Sequence, residues 1–378
     1  MTINIGIIQE TKIGEARVAI VPEICEKLSK IGATFYIQTG AGEKAGYLDG
    51  SFKSDYTSIV DTPQEVLSHC NILLKVNPPT KEEVQLLRKE AVVVSFMDPF
   101  NNEALIKIMA EKQLAVFSME LIPRISRAQS MDALSSQASI AGYKSVLLAA
   151  NKMNKFFPML TTAAGTVRPA QTLIMGAGVA GLQAIATAKR LGSRVLAFDV
   201  RASSKEQIES LGAKFLDTGV SAEGEGGYAR ELNQEELTLQ KETLSKTISE
   251  SDVVITTAAV PGKPAPRLID QKSVEAMQPG SVIIDLGAMS GGNCELTKPD
   301  ELVNHNGVII LGPTNLAATM PKHASELYAR NLANFITPAL GEGELKIDWD
   351  DEIFSQSNLT KKGNIVFNTI NCIFQTSG

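Results

Sequence analysis

Short apolar runs alternate along the chain with segments of helical periodicity. In the first third of the chain, the predicted strands lie at residues 3–8, 34–38, 72–76, 92–96 and 115–118. Predicted helices separate them, most clearly at 22–31 and 103–112. A second series of predicted strands begins at residue 172 and continues at 194–198, 253–256, 282–285 and 308–311. Short runs of Val, Ile and Leu are typical of strands buried on both faces. The pattern therefore predicts an α/β fold of two Rossmann-like domains with mainly parallel sheets.

Two longer segments are predicted to be helices that join these domains. Residues 126–157 are rich in small and apolar side chains, and 327–336 precede a proline at 338. The chain has 378 residues, of which 44% are hydrophobic, so it can form two cores. We expect residues 1–135 and 322–378 to form a discontinuous first domain and 136–321 to form the second. A cofactor would then lie in a cleft between the domains, at the carboxyl ends of the strands.

A glycine motif follows the first strand of the second series. Gly176, Gly178 and Gly181 form a GxGxxG sequence, and an acid, Asp199, ends the next strand 18 residues later. This order of strand, glycine turn, helix, strand and acid is the context that a dinucleotide-binding site requires. A carboxylate at 199 would accept hydrogen bonds from ribose hydroxyls and repel a 2′-phosphate, which favours NAD(H). The candidate cofactor-binding positions of this domain are Gly176, Ala177, Gly178, Val179, Ala180, Gly181, Asp199, Val200, Arg201, Thr257 and Ala258.

Charge and composition exclude several other classes of protein. The net charge is −6 and the sequence has no basic block, so nucleic acid is not an expected partner. The four cysteines and three histidines are scattered without metal-ligand spacing, so we expect no metal site and reduced, cytosolic thiols. The N-terminus has a strand pattern without a basic region, and no apolar run approaches the roughly 20 residues of a membrane helix. We therefore expect no signal peptide and no direct membrane insertion.

Residues 219–230 contain four glycines and two acids around Tyr228. Such a composition cannot form a core element. It is consistent with a flexible connector or with a mobile flap in which Gly227 and Tyr228 close over a ligand. The sequence leaves both interpretations open.

The segment 119–143 is more specific than the glycine motif. It contains Arg124, Gln129, Asp132 and Ser135 and resembles the NAD(H)-binding component of proton-translocating nicotinamide nucleotide transhydrogenase. The likeness extends over nearly the whole chain, with further matching stretches at 15–19, 161–166, 181–192, 209–214, 226–229, 261–266 and 291–294.

This resemblance implies roles for the residues of segment 119–143. Asp132 and Ser135 would bind the nicotinamide carboxamide and ribose region, and Arg124 would anchor the nicotinamide half. Gln129 would extend toward a partner domain, so that Arg124, Gln129 and Asp132 form the candidate catalytic set. Tyr228 would lie at the tip of a loop that closes on bound nucleotide. A simpler alternative is that Asp132 or Ser126 only caps the following helix.

The resemblance also implies partners. Hydride would pass from NADH on this chain to NADP⁺ on a separate NADP(H)-binding component, and a membrane-spanning component would couple the transfer to proton translocation. The chain would form a homodimer. It would be cytoplasmic and peripheral at the inner face of the membrane, held there by its partner subunits.

The alanine dehydrogenase family is the main alternative, and a catalytically silent NAD(H)-sensing protein is a third. Alanine dehydrogenases resemble this chain at Arg17 and Lys75, which hold a substrate carboxylate there. However, the chain has no histidine after the strand at 92–96, and Met289 replaces the acid expected four residues after Asp285. Both groups that would handle a substrate proton are missing. We therefore expect Arg17 and Lys75 to be structural or surface ion-pair residues.

Overall fold

The computed structural model describes residues 3–220, 233–259, 262–341 and 344–366. They fall into two compact units. Among the described residues, the first unit contains the chain up to Gln137 and from Ala317 to Val366, and the second contains Ala138–Leu316. Gly227 and Tyr228 lie outside the described residues. Within the described ranges, no helix combines the length and the hydrophobicity needed to cross a bilayer.

The strands are numbered in chain order. They are β1 (Ile3–Ile7), β2 (Ala33–Gln38), β3 (Thr57–Val60), β4 (Ile72–Leu74), β5 (Val92–Ser95), β6 (Ala115–Ser118), β7 (Leu160–Thr162), β8 (Gly165–Val167), β9 (Gln171–Met175), β10 (Arg194–Phe198), β11 (Lys214–Phe215), β12 (Val253–Thr256), β13 (Val282–Asp285), β14 (Leu302–His305), β15 (Val308–Leu311), β16 (Leu340–Gly341), β17 (Glu344–Leu345), β18 (Asn358–Lys361) and β19 (Asn364–Ile365).

The α-helices are numbered in the same way. They are α1 (Pro22–Ser29), α2 (Asp49–Phe52), α3 (Pro63–His69), α4 (Lys81–Leu86), α5 (Glu103–Glu111), α6 (Ala133–Lys152), α7 (Val179–Arg190), α8 (Ser204–Ser210), α9 (Gln234–Ser249), α10 (Gln271–Glu275), α11 (Pro321–Ile336) and α12 (Glu352–Ser357). Short 3₁₀ helices lie at Glu43–Ala45, Met119–Leu121, Ser126–Met131, Ala288–Ser290, Leu316–Thr319 and Thr337–Ala339.

The sheet of the first unit has the order β19-β18-β6-β5-β4-β1-β2-β3. All neighbouring strands from β6 to β3 are parallel, and β18 joins β6 in the antiparallel direction. Alternate residues face two cores: Val92 and Val94 belong to one, and Val93 belongs to the other. Helix α11 supplies Tyr328 and Phe335 to the first of these cores.

The sheet of the second unit has the order β11-β10-β9-β12-β13-β15-β14, with only β14 antiparallel to its neighbour. Its strands also separate two cores, with Ile174 on one face and Leu173 on the other. In this sheet β10 lies on one side of β9, and β12, which comes later in the chain, lies on the other side of β9. The carboxyl ends of β9 and β12 therefore form a topological switch point, where ligands bind in open α/β sheets. The predicted fold of two mainly parallel sheets is confirmed.

The long helix expected at 126–157 is shorter than predicted. Residues Ser126–Met131 form a 3₁₀ helix, and the α-helix begins only at Ala133 and ends at Lys152. The second expected helix begins earlier than predicted, at Pro321, which occupies the first helical turn. Proline suits this position because the first turn leaves its backbone N–H groups unpaired.

Candidate functional site

The glycine motif lies at the switch point of the second sheet. Gly176 follows β9 with a φ of +105°, and a Cβ added there would lie 2.5 Å from Oγ1 of Thr257. A Cβ added at Gly181 would lie 1.8 Å from the carbonyl oxygen of Gly176. Around Gly178, in contrast, the space within 4 Å is open. The first and third glycines are therefore required by packing, whereas Gly178 leaves room above the N-terminus of α7.

Asp199 ends β10 and is buried beside this turn. Its Oδ2 accepts a hydrogen bond from the backbone N–H of Ala177 (2.7 Å) and one from the Arg201 guanidinium (3.1 Å). Its Oδ1 accepts from the backbone N–H and Nε of Arg201, both at 2.9 Å. Burial alone would raise the pKa of Asp199, but the hydrogen bonds from Arg201 and Ala177 outweigh it and lower the pKa. The sequence could not indicate that Arg201 forms hydrogen bonds with the Asp199 carboxylate.

Thr257 begins the segment after β12 and fixes it to the glycine turn. Its backbone N–H donates to the carbonyl of Met175 (2.8 Å), and its hydroxyl donates to that of Gly176 (3.2 Å). The side-chain amide of Asn293 donates to the carbonyls of Ala258 and Pro266, both at 2.8 Å. The predicted positions Gly176, Thr257 and Ala258 are thus brought together at one edge of the sheet.

Asp285 organises the next loop at the same edge and was missed as a structural residue. This fully buried carboxylate accepts from the hydroxyls of Thr256 (2.9 Å) and Thr297 (2.7 Å). It also accepts from the backbone N–H groups of Gly287 (2.9 Å) and Cys294 (3.0 Å). The loop between these two residues presents Met289, which is 63% exposed. The sequence did contain a signal for this role of Asp285, because it is a polar residue at the end of a buried strand and glycines follow it.

The segment with Arg124, Gln129 and Asp132 lies in the first unit. Arg124 and Gln129 are exposed and Asp132 is half-buried. The Asp132 carboxylate accepts from the backbone N–H (2.9 Å) and the hydroxyl (2.6 Å) of Ser135. Asp132 therefore caps α6, as the simpler alternative predicted, while Ser126 begins the preceding 3₁₀ helix. The structure brings Asp132 and Ser135 together, and their role toward nicotinamide stays a prediction.

Arg17 and Lys75 belong to a buried network at the switch point of the first sheet, between β1 and β4. Arg17 donates from Nε (2.8 Å) and a terminal nitrogen (2.7 Å) to Glu15. Lys75 lies 3.3 Å from Glu83 and 3.8 Å from Glu10. Of the two expected roles, structural or surface ion-pair residues, the surface role is wrong, since Arg17 is 8% and Lys75 1% exposed. Each cation is buried because a carboxylate of the same chain neutralises it.

The carboxylates of this network differ in their proton affinity. Burial would raise the pKa of Glu15, but the hydrogen bonds and charge of Arg17 outweigh it and hold the pKa at about 2. Burial dominates at Glu10 and raises its pKa despite the nearby Lys75 ammonium. Both cations are thus paired with carboxylates of the same chain.

A further acid, Glu120, lies beneath the loop where alanine dehydrogenases carry their histidine. Its carboxylate accepts from the backbone N–H groups of Met97 (3.0 Å) and Asp98 (2.8 Å) and from the hydroxyl of Ser118. Burial raises the pKa of Glu120. These contacts hold the turn at Asp98, whose φ is +44°. Glu120 supports the loop, and sequence reasoning missed it because it follows a different strand.

Comparisons with known proteins agree with this architecture. The family model "Alanine dehydrogenase/PNT, N-terminal domain" matches residues 6–141, and "Alanine dehydrogenase/PNT, C-terminal domain" matches residues 145–368. The chain is 44% identical over 358 residues to an NAD(P) transhydrogenase alpha-subunit protein of Rickettsia prowazekii (strain Madrid E), with 93% of each chain covered. An alanine dehydrogenase of Methanococcus maripaludis is 26% identical over 305 residues, which cover 80% of this chain and 76% of that one.

A solved structure extends the likeness to three dimensions. The crystal structure of transhydrogenase from Sinorhizobium meliloti superposes with a TM-score of 0.88 at 40% identity, covering 96% of this chain and 99% of that chain. The resemblance to transhydrogenase predicted from segment 119–143 is thereby confirmed. The chain belongs to the alanine dehydrogenase/PNT family, and its relatives at high identity are transhydrogenase alpha subunits.

Proposed function

We propose that this chain binds NAD(H) and supplies one half of the hydride-transfer site of a proton-translocating transhydrogenase. One observation carries the proposal. A glycine turn built for a dinucleotide lies at the switch point of the second sheet, in a chain that matches a transhydrogenase alpha subunit over 93% of both lengths.

The second unit would bind the adenosine half of the dinucleotide. The open space around Gly178 exposes the N-terminal N–H groups of α7 to a pyrophosphate, which the helix dipole also favours. Asp199 would accept from the ribose hydroxyls. Its four acceptor positions are filled by Ala177 and Arg201. The Arg201 side chain must therefore share or leave the carboxylate when nucleotide binds.

Arg124, Gln129, Asp132 and Ser135 would hold the nicotinamide half. A carboxamide both donates and accepts hydrogen bonds, so a carboxylate beside a hydroxyl can fix the orientation of its ring. The Asp132–Ser135 pair offers both groups in one place. Gly227 and Tyr228 would close over the bound nucleotide.

The reaction needs no acid or base. Hydride leaves C4 of NADH and joins C4 of NADP⁺, which yields NAD⁺ and NADPH without releasing or consuming a proton. The work of the protein is to position two rings and to exclude water. NADP(H) would bind a separate component, and a membrane-spanning component would couple the transfer to proton translocation. This chain would be held at the membrane by these partners.

A homodimer would be formed through the hairpin of β7 and β8. All six of its strand residues are exposed, and within the described part of the chain these strands pair only with each other. Leu160 and Val167 are large exposed apolar residues of the hairpin, with Met159 beside them. An isolated two-stranded hairpin is marginally stable in water, so a second copy of the hairpin would stabilise it.

The test is reconstituted hydride transfer. The chain is mixed with an NADP(H)-binding component of a transhydrogenase, and NADH-dependent reduction of an NADP⁺ analogue is followed by absorbance. Activity that requires both proteins supports the proposal. Failure of transfer, together with NADH oxidation by pyruvate and ammonia with this chain alone, would instead establish an alanine dehydrogenase. NADH binding without either activity would indicate a silent sensor.

A further inference from the structure

A single buried amide holds both sides of the Asp132–Ser135 pair. Asn331, in the middle of α11, is 7% exposed. Its Nδ2 donates to the carbonyl oxygen of Ser130 at 2.9 Å, and its Oδ1 accepts from the hydroxyl of Ser136 at 2.7 Å. Ser130 precedes Asp132 by two residues, and Ser136 directly follows Ser135. One side chain therefore connects the end of the 3₁₀ helix to the first turn of α6.

One other contact between this segment and C-terminal residues is buried, from Nε2 of Gln137 to the carbonyl oxygen of Ala324 at 3.1 Å. Two further contacts are exposed. Asn334, one turn along α11, donates to the same Ser130 carbonyl at 3.1 Å. Arg127 makes a bidentate ion pair with Asp351, at 2.6 and 3.2 Å. Exposed ion pairs and hydrogen bonds stabilise a fold weakly, because water competes for both partners. The buried Asn331 amide therefore contributes more than these two exposed contacts, and it joins the two sides of the Asp132–Ser135 pair.

We propose that Asn331 is a positioning residue for the nicotinamide end of the bound dinucleotide. The inference rests on the proposed role of Asp132 and Ser135. Both bonds of Asn331 bear on the backbone that carries these two residues, so losing them allows the carboxylate and the hydroxyl to shift together. A shift of about 1 Å in a group that orients a reacting ring can lower the rate about 100-fold.

Asn331→Leu is the informative variant, because leucine has the same branched arrangement of side-chain heavy atoms and forms neither hydrogen bond. Asn334→Ala is the matched control, because it removes only the exposed bond to Ser130. Ser136→Ala removes the bond to Oδ1 of Asn331 and should have an intermediate effect. Should the leucine variant fail to fold, Asn331→Asp carries the same test. Its carboxylate still accepts from Ser136 but cannot donate to Ser130.

The first readout uses this chain alone. Affinities for NADH and for ADP-ribose, which lacks nicotinamide, are measured by calorimetry, and thermal melting checks the fold. We expect Asn331→Leu to lower the ratio of NADH affinity to ADP-ribose affinity at least five-fold, with ADP-ribose affinity unchanged. The Asn334→Ala control should change this ratio less than two-fold. An unchanged ratio, or equal losses for both ligands, overturns the proposal.

The second readout is hydride transfer with the NADP(H)-binding component. We expect kcat of Asn331→Leu to fall at least ten-fold at saturating NADH, which a loss of binding alone would not produce. If the variant instead matches the wild-type chain, Asn331 has no positioning role and the proposed function stands. If the wild-type chain transfers no hydride while the affinity ratio still falls, the proposed function fails and the positioning of nicotinamide stands.

Discussion

The Arg201 guanidinium donates two hydrogen bonds to the carboxylate of Asp199, at 2.9 and 3.1 Å. These are the acceptors that a ribose diol would use. Under the proposed function, the pair would determine how the chain distinguishes NAD(H) from NADP(H): the acid would repel a 2′-phosphate, and the arginine beside it is held by that acid.

Replacing Asp199 should change nucleotide preference. We expect Asp199→Ser to lower NADH affinity about 10- to 100-fold, since charge-assisted hydrogen bonds are lost. NADPH affinity relative to NADH should rise about ten-fold or more, because Arg201 is released to pair with a 2′-phosphate. Calorimetric titration with both nucleotides checks this. The double variant Asp199→Ser with Arg201→Leu is the control, and a persistent gain for NADPH in it would rule out Arg201 as the cause.

Two glycines of the same motif should respond differently to alanine. Gly181→Ala places a Cβ 1.8 Å from the Gly176 carbonyl, so we expect unfolding to become easier by about 2 kcal/mol or more. Gly178→Ala meets no atom within 4 Å and should change stability by only about 0.5 kcal/mol. Its methyl group would instead fill the space that the pyrophosphate needs, lowering NADH affinity about ten-fold or more. Denaturant melts and NADH titrations of both variants test the contrast, which equal behaviour would contradict.

The two roles assigned to Asp132 can be separated. Asparagine caps helices about as well as aspartate, whereas alanine costs about 1 kcal/mol at this position. We expect Asp132→Asn to keep wild-type stability and ADP-ribose affinity but to lower hydride transfer about ten-fold. Asp132→Ala should lose both stability and transfer. Wild-type transfer by Asp132→Asn would leave the carboxylate with its capping role alone.

The buried pair of Glu15 and Arg17 predicts a pH dependence of stability. The folded pKa of Glu15 is about 2, below its ordinary 4.5, so the stabilisation is fully present above about 4.5 and lost as pH falls toward 2. We expect Glu15→Gln to lower the free energy of unfolding by about 3 kcal/mol at pH 7. The deficit should shrink below pH 4.5. Chemical denaturation across this range checks it, with Glu26→Gln, from an exposed pair with Lys30, as the control. A deficit independent of pH would refute the assignment.

The hairpin surface predicts how the chain associates. We expect Val167→Lys to weaken a homodimer at least ten-fold, because a charge would be buried between two copies. Sedimentation equilibrium measures the dissociation constant. Ile13, which is 98% exposed in another loop, offers a matched control as Ile13→Lys. A monomeric wild-type chain, or equal effects of both variants, would count against the hairpin.

The sequence was sufficient for the strands that are buried on both faces. The observed bounds of β10, β12, β13 and β15 coincide with the predicted runs, because these short runs are rich in β-branched and apolar residues and are separated by segments of different pattern. The glycine motif could also be recognised from the sequence. Gly176 and Gly181 occupy positions where nearby atoms leave no room for a Cβ.

Contacts between distant residues could not be predicted from the sequence. Asn331 meets Ser130 across 201 residues, and Arg17 meets Gln137 across 120. Nothing local marks these partners, because their pairing depends on how the elements pack. For Arg17 and Lys75 the sequence left a structural and a surface role open. Glu15 and Glu83 lie near them in the sequence, but the burial of these pairs depends on how the elements pack.

The first unit is built from two separate stretches of chain, and this has a consequence during synthesis. Its core includes Tyr328 and Phe335 of α11, which leave the ribosome only after the whole of Ala138–Leu316 has been made. The described residues of the second unit form one stretch, Ala138–Leu316, which can fold as soon as it emerges. The nascent N-terminal segment must therefore wait, with its sheet partly uncovered, until the last helices arrive. Chaperones that recognise exposed apolar surface should bind it during that interval.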